Sequence, residues 1–356
     1  MENKSEIVFV LKGLNETQTT RQIYFGFTLI IYFFTIFVNL TLIVTIFLEK
    51  RLHEPMYIFL CNLCFNGIYG ASSFYPKLLH DLLADAHVIS YTGCITQIFV
   101  VYSYVFCEFT NLTVMAYDRY VAICKPLQYH SIMTAQKVGQ LLLLTWSFSL
   151  FETAVGVVLT SRLPVCGVHI DKLFCTNWAV VKLSCSDTTL NNIYGFVLTL
   201  SHVSQTALIL VSYVHIVKAS LRSKADRRKF MQTCLPHLIT LVNFTASLVF
   251  DTMYSRYGSG GSLQALQNVL AAEFLVVPPL VNPIIYGMNL QQIRSRLAQT
   301  FGHKVHALSG GITEATPPRL AHNRPVAGLP RSLQRSVAPR WPERRASRKH
   351  SERNTE

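Results

Sequence analysis

The sequence predicts an all-α membrane protein, a seven-transmembrane helix bundle with a short cytoplasmic amphipathic eighth helix and a disordered C-terminal tail. Three observations support this fold class. Half of the 356 residues are hydrophobic and only 14% are charged, which is too apolar for an ordinary soluble protein of this length. Seven long stretches are almost free of charge, and the basic residues concentrate on one side of them. The bilayer is therefore the expected solvent.

Each of the seven predicted spans is long enough to cross a membrane as a helix. About 20 apolar residues cover the ~30 Å hydrocarbon core, and a helix satisfies every backbone amide within the segment. Few charged side chains occur inside the stretches, so each of them is a candidate for function. The predicted spans are 23–48, 55–75, 95–123, 138–159, 193–217, 230–250 and 263–288.

The distribution of basic residues orients the bundle. With the N-terminus extracellular and the C-terminus cytoplasmic, 24 of the 32 Lys and Arg residues lie inside, six of them in the loop 218–229, as short cytoplasmic loops require. The net charge of +13 then reflects topology at the plasma membrane and contact with anionic lipids, not nucleic-acid binding. The same orientation makes Asn3 and Asn15, each in an Asn-X-Ser/Thr triplet, usable glycosylation acceptors.

The chain divides into four parts. Residues 1–22 are predicted to be an extracellular tail without a cleavable signal peptide, and residues 23–288 form the bundle. Residues 289–301 carry apolar side chains at helical spacing beside arginines, which predicts an interfacial amphipathic helix. Residues 302–356 contain 11 Lys or Arg and 4 Glu with no apolar periodicity. We expect this basic tail to be disordered and cytoplasmic.

Four of the nine cysteines fall on the predicted outer side. That side is oxidising, and an even number of cysteines there indicates two disulfides. Position along the chain leaves all three possible pairings open. The four residues are Cys94, Cys166, Cys175 and Cys185.

Five motifs resemble one family. They are "LHEPMYIFLCNL" (52–63), "MAYDRYVAICKPLQYHSIM" (115–133), "SYVHIVKASL" (212–221), "TCLPHLITL" (233–241) and "PPLVNPIIYG" (278–287). The Asp-Arg-Tyr triplet alone is typical of rhodopsin-like G-protein-coupled receptors in general. Its extension through "VAICKPLQYH" resembles the odorant (olfactory) receptor branch of that class. The resemblance covers about residues 20–300.

The resemblance implies a receptor that binds a small odorant and activates a stimulatory heterotrimeric G protein of the olfactory type, raising cyclic AMP. The alternatives are a rhodopsin-like receptor for another small ligand, such as a lipid or metabolite, and a membrane transporter. A transporter would show internal repeats and helices broken near mid-membrane, and neither is evident. No nucleophile–base pair, metal-ligand cluster or phosphate loop occurs at workable spacing, so we expect neither enzymatic chemistry nor a cofactor.

The family also implies which residues change contacts on activation. An arginine at the inner end of the third helix is held by the neighbouring aspartate at rest and is released toward the G protein. Pro283 removes a backbone hydrogen bond from the seventh helix, so that helix can change shape at modest cost. The implied coupling and switch residues are Asp118, Arg119, Tyr120, Tyr213, Asn282, Pro283 and Tyr286.

The ligand site is expected in the outer half of the bundle, where the third, fifth, sixth and seventh helices face each other. By the resemblance, disulfides Cys94–Cys175 and Cys166–Cys185 hold the second outer loop as a lid over this site. Aromatic side chains with a few hydroxyls suit a small, partly apolar molecule. The candidate contacts are Tyr102, Val105, Phe106, Phe109, Ser201, His202, Phe244, Ser247, Ala272 and Glu273.

One further carboxylate, Glu108, lies about three helical turns before Asp118 and near mid-membrane. Receptors of the wider class build a sodium pocket here with an aspartate on the second helix, but this chain has Asn66 and Gly67 at that place. We therefore expect no metal: a protonated Glu108 hydrogen bonded to Asn39, Asn66 and Asn282 is favoured over a bound sodium ion, which stays the alternative.

Glu152 in the fourth span and Glu273 in the seventh are the other carboxylates buried in the predicted bundle. Each is expected either to face the cavity or to hydrogen bond to a neighbouring helix, and we favour the second.

Overall fold

Seven long helices dominate the computed structural model, which describes residues 6–13, 17–220, 235–258 and 263–289. Two short helices, α4 (Tyr129–Ile132) and α6 (Asn177–Val181), lie in the loops on either side of the fourth long helix. The predicted seven-helix bundle is confirmed. The long helices are α1 (Gln18–Leu48), α2 (Pro55–Leu83), α3 (Tyr91–Cys124), α5 (Ala135–Ser161), α7 (Thr189–Ser220), α8 (Leu235–Tyr257) and α9 (Leu263–Asn289).

Several of the helices begin at a residue that caps them. The side-chain oxygens of Thr17, Ser90 and Thr134 accept hydrogen bonds from backbone amides three residues later, which starts α1, α3 and α5. Pro55 occupies the first position of α2, where its missing N–H costs nothing. Five helices in the described part, α1, α3, α5, α7 and α8, are long and apolar enough to cross a bilayer.

The bundle exposes apolar side chains and buries polar ones, as expected in lipid. On α1, Phe27 is 65% exposed and Phe47 77%, whereas Thr35 and Asn39 are fully buried. Helix α3 is central and is buried around most of its circumference, a pattern typical of a helix surrounded by others. It therefore carries the residues that meet in the interior.

A small three-stranded sheet, which the all-α prediction did not include, covers one end of the bundle. Strand β1 (Val8–Leu11) pairs antiparallel with β2 (Val88–Ser90) and parallel with β3 (His169–Ile170). Phe9 and Leu11 alternate inward and pack beside the outer end of α3. A Cβ on Gly13 would lie 2.4 Å from the Leu173 backbone nitrogen, so only glycine permits this close approach.

Two disulfides lie at the same end as the sheet. Cys94–Cys175 joins the first turn of α3 to the loop between α5 and α7, and Cys166–Cys185 closes that loop on itself. This is the pairing that the family resemblance implies. We call this loop, residues 162–188, the lid. Free thiols in the described part are Cys61, Cys64, Cys107 and Cys124.

Candidate functional site

A cavity lies beneath the lid, between α3, α5, α7 and α8. Its volume is about 100 Å³, of the same order as the ~150 Å³ engineered cavity that accepts benzene. Residues of the lid helix α6 close the outer end. Apolar and aromatic side chains make most of the wall, and a few polar groups converge on the interior. These are the features of a small-molecule site.

The structure brings four of the ten predicted ligand residues to this cavity. Tyr102, Phe106 and Phe109 face it from α3 at helical spacing, and His202 faces it from α7. The other six do not line it. Ser201 lies beside it and bonds to a lining residue. The remaining five, Val105, Phe244, Ser247, Ala272 and Glu273, pack or hydrogen bond elsewhere.

The expected participation of the seventh helix must be corrected. Among the described residues, the fourth spanning helix, α5, contributes to the cavity wall together with α3, α7 and α8, and α9 contributes no lining residue. Val105 points away from Phe106 by about 100° of helix rotation and does not line the cavity, although both residues belong to the same hydrophobic cluster. Glu273 accepts hydrogen bonds from Asn243 and Ser247 of α8. Its hydrogen bonding to a neighbouring helix agrees with the expectation from sequence.

The inner end of the cavity is polar. Glu152 of α5 is 8% exposed, and His202 of α7 is 4% exposed. Ser201 donates a hydrogen bond of 3.1 Å to Glu152 Oε1. The His202 Nδ1 lies 2.7 Å from the Leu198 carbonyl oxygen, and Nε2 lies 3.7 Å from Glu152 Oε2. Sequence reasoning named His202 as a candidate ligand contact, and for Glu152 it favoured a hydrogen bond to a neighbouring helix over a place in the cavity wall. The structure shows both for Glu152.

The outer end of the cavity carries a cation. The Arg256 guanidinium of α8 lies 4.7 Å from the ring centroid of Trp178 on the lid helix α6 and donates to the Thr252 carbonyl at 3.2 Å. It fits because α7 has Gly195 there: a Cβ on that residue would lie 2.1 Å from the guanidinium. Arg256 and Trp178 thus close the outer end of the cavity, with the guanidinium over the indole ring as in a cation–π contact.

An ion pair fastens the lid to α8. Lys172 of the lid donates to Asp251 at 3.0 Å, and both side chains are 8% exposed. In the same loop, burial and the nearby Lys172 charge lower the pKa of Lys182. Because a buried charge needs a partner, the lid and the outer end of α8 are constrained together.

Glu108 is fully enclosed between α2, α3 and α9. Its Oε2 accepts a hydrogen bond from Asn66 Nδ2 and its Oε1 one from Asn282 Nδ2, each at 2.8 Å. Asn39 does not reach Glu108, because its Nδ2 donates instead to the carbonyls of Thr35 and Pro279. Both carboxyl oxygens therefore act as acceptors, and a protonated Glu108 can donate to Asn282 once that amide rotates and presents its oxygen.

The inner end of α3 holds the expected ion pair. Arg119 Nη2 donates to Asp118 Oδ2 at 2.7 Å, and Asp118 is buried. Tyr129 of α4, which sequence reasoning did not assign to the site, donates to Asp118 Oδ1 at 2.8 Å. Burial and the Asp118 carboxylate raise the pKa of Tyr129, so its hydroxyl keeps its proton and remains a donor.

The other predicted switch residues lie at different places in the inner half of the bundle. Tyr213 is buried, and Tyr120 packs against the same inner cluster. Asn282 joins α8 through Thr240, whose hydroxyl donates at 3.2 Å, and Pro283 is one of three prolines inside α9. The Tyr286 side chain lies outside the described residues. So do Asn3, Asn15, residues 290–301 of the predicted amphipathic helix and the tail 302–356.

A family model described as "Olfactory receptor" matches residues 27–304. The curated "Olfactory receptor 2C1" of Mus musculus is 34% identical over 304 residues, which cover 84% of this chain and 96% of the relative. "Olfactory receptor 4E1" of Homo sapiens is 36% identical and covers 85% and 96%. "Olfactory receptor 2A12" of Homo sapiens is 37% identical and covers 81% and 93%.

The fold is similar to that of a solved structure of low sequence identity. The crystal structure of squid rhodopsin matches with a TM-score of 0.65, at 14% identity, over 85% of this chain and 93% of that chain. At this identity the likeness concerns the arrangement of the helices alone.

Proposed function

Because the chain belongs to the olfactory receptor family, we propose that its odorant binds in the cavity between α3, α5, α7 and α8. The occupied receptor then activates a stimulatory heterotrimeric G protein of the olfactory type, which raises cyclic AMP. The chain is a multi-pass membrane receptor of rhodopsin-like fold and not an enzyme. One observation carries the proposal: the same helix, α3, lines the lidded cavity and ends in the Asp118–Arg119 pair.

The odorant is a small molecule with an apolar body. Tyr102, Phe106 and Phe109 supply aromatic surface, and the cavity volume of about 100 Å³ limits the ligand to roughly the size of benzene unless side chains move. Two disulfides and the Lys172–Asp251 ion pair hold the lid in place over the cavity.

We propose a plasma-membrane location with the N-terminus extracellular and the C-terminus cytoplasmic. Strand β1 pairs with the segments that flank both disulfides, and disulfides form on the oxidising side of the membrane. The basic residues, concentrated at the opposite end, support the same orientation. Glycosylation at Asn3 and Asn15 and contact of the basic loop with anionic lipids follow from this orientation.

Coupling is proposed to require Arg119. In the described structure this side chain is held by Asp118, and Asp118 is held by Tyr129. Activation frees the arginine to reach the G protein, while Tyr213, Asn282, Pro283 and Tyr286 accommodate the movement of the inner ends of the helices. A charge-assisted hydrogen bond of this kind contributes about 1.5–3 kcal/mol, which is small enough for ligand binding to reverse.

The test is cyclic-AMP accumulation in cells that express the receptor with the olfactory-type stimulatory G protein. Odorants are first screened on the parent, and Arg119→Ala is then compared with Arg51→Ala, which removes an exposed basic side chain from the first loop on the same side. Arg119→Ala should abolish the response while surface expression stays near that of the parent, and Arg51→Ala should retain it. An undiminished response in Arg119→Ala would contradict the proposed coupling.

A further inference from the structure

The charged groups around the ligand cavity are unevenly paired. Asp251 is bound to Lys172, and the Arg256 guanidinium packs on Trp178. Glu152 is different. Among the described residues, its carboxylate has no Lys or Arg within 4 Å, and the one basic side chain within that distance is His202. A carboxylate this deep in a bundle is costly unless a cation or a set of donors meets it.

The tautomer of His202 follows from its surroundings. Nδ1 lies 2.7 Å from the Leu198 carbonyl oxygen, and a carbonyl only accepts, so Nδ1 carries the proton. In the neutral ring Nε2 is then an acceptor. Nε2 and Glu152 Oε2 are both buried and both without a hydrogen-bond partner in the described structure. At 3.7 Å from each other, they are too far apart for a direct hydrogen bond.

Two acceptors at this separation fit one donor placed between them. A nitrogen can lie about 2.9 Å from both atoms at once, and an ammonium nitrogen has protons for both. The rings of Phe106 and Phe109 lie 4.5 Å and 5.2 Å from the imidazole, centroid to centroid. Aromatic faces favour a cation, whereas an acid at this point would meet the Glu152 carboxylate.

We propose that the ligand of this receptor is a small primary or secondary amine whose protonated nitrogen donates to Glu152 Oε2 and His202 Nε2. The proposal rests on the cavity being the odorant site. It assigns the polar end of the ligand to the inner end of the cavity, and the apolar body to the aromatic wall formed with Tyr102. Glu152 supplies the charge, and Ser201 orients the carboxylate through its hydrogen bond to Oε1.

The test uses compounds that share a skeleton and differ in the polar group. Hexylamine, hexanol, hexanal and hexanoic acid form one series, and benzylamine, benzyl alcohol, benzaldehyde and benzoic acid form the other. Binding is measured as thermal stabilisation of the purified full-length receptor, and activation as cyclic AMP in cells. In at least one series the amine should bind best. A receptor for which neither amine stabilises or activates overturns the proposal, even if an alcohol or acid activates it and the proposed function stands.

Binding without a cyclic-AMP rise supports the amine site and counts against the proposed coupling instead, so the two failures are distinguishable.

Glu152→Gln keeps the shape of the side chain and removes its charge. It should raise the half-maximal concentration of the amine about 10- to 100-fold, which corresponds to the free energy of one hydrogen bond to a charged group. The control Glu273→Gln changes an intramembrane carboxylate that does not line the cavity and should keep the preference for amine over alcohol.

His202→Phe separates the two possible roles of the imidazole. If Nε2 accepts from the amine, this variant should lower amine potency severalfold, because the ammonium loses one acceptor. If the ring is instead a cation paired with Glu152, removing it would free the carboxylate and amine potency would rise. Higher potency in His202→Phe, at surface expression equal to that of the parent, overturns the proposed arrangement.

Discussion

The Glu108 cluster offers the sharpest test of how the core is held together. In the structure both carboxyl oxygens of Glu108 accept amide N–H groups, from Asn66 and Asn282. Asn66 Nδ2 also donates to the Tyr104 carbonyl at 3.1 Å, so its orientation is fixed. Asn282 is free to rotate, because the Thr240 hydroxyl that now donates to its oxygen can also accept from its amide. A neutral side chain at position 108 can therefore be satisfied.

The expected changes in the free energy of unfolding follow from the hydrogen-bond partners that each substitution at Glu108 keeps or removes. Glu108→Gln keeps the acceptor for Asn66, and its own N–H₂ group can donate to a rotated Asn282, so the cost in stability should stay below about 1 kcal/mol. Glu108→Leu leaves the buried amides of Asn66 and Asn282 without this partner, at about 1–3 kcal/mol each. At ~2–4 °C per kcal/mol, the Leu variant should melt on the order of 10 °C below the parent, and the Gln variant close to it.

The functional assay compares basal and ligand-stimulated cyclic AMP while extracellular sodium is replaced by N-methylglucamine. Among the described residues no Lys, Arg or His forms an ion pair with Glu108, and the second helix lacks the aspartate of the sodium pocket. We therefore expect a neutral Glu108, no sodium dependence in the parent, and preserved activation in Glu108→Gln. Basal activity that falls with sodium in the parent but not in the Gln variant would refute the reasoning, as would equal melting of the Gln and Leu variants.

Three further predictions concern the lid and the packing. Cys94→Ser or Cys175→Ser should lose surface expression or ligand response, since removing a native disulfide costs ~2–5 kcal/mol in small secreted domains; mass-spectrometric mapping that finds Cys94 free would contradict the pairing. Gly70→Ala should destabilise by about 2–4 kcal/mol, because the added Cβ would lie 2.4 Å from the buried Tyr104 ring and disturb its hydrogen bond to Phe274. Gly139→Ala, which meets no atom within 4 Å, should be neutral or stabilise by up to ~1 kcal/mol; equal melting of the two variants would count against the clash. Lys172→Met should lower the free energy of unfolding by about 3–5 kcal/mol, because it leaves the buried Asp251 carboxylate without its cation. The double variant Lys172→Met with Asp251→Leu should recover much of this loss. A double variant as unstable as the single one would show that the ion pair does not hold the lid.

The helices were predictable because their signal is local. A run of about 20 apolar residues has one stable form in lipid, and the motif around Asp118 and Arg119 places the inner end of α3 without any tertiary knowledge. Strand β1 was not predictable in the same way. Four residues of alternating burial, Val8–Leu11, give no signal above that of an ordinary tail, and the strand exists only because the loops bring β2 and β3 beside it.

The cavity was predicted only in part, because its position depends on how helices tilt and rotate against each other. Counting turns from Arg119 gave the right face of α3 for Tyr102, Phe106 and Phe109. It could not tell whether the fourth or the seventh helix closes the opposite wall. Glu152 was visible in the sequence as an isolated charge in an apolar run, but nothing along the chain shows that it faces His202, fifty residues later.

Helix α3 connects the cavity, the polar core and the inner ion pair. Each residue turns the helix by about 100°, so Phe109 faces the cavity while Glu108, its neighbour, faces α2 and α9. Phe109 also packs on Phe244 of α8 at 5.0 Å, and Tyr104, one turn before Glu108, donates to the Phe274 carbonyl of α9. A ligand that rotates or shifts this turn of α3 must move both faces together, because interiors are too densely packed to absorb a displacement locally. Glu108→Leu, which removes the contacts to Asn66 and Asn282 and touches no ligand, is therefore expected to change activation rather than ligand choice, unlike the conservative Glu108→Gln.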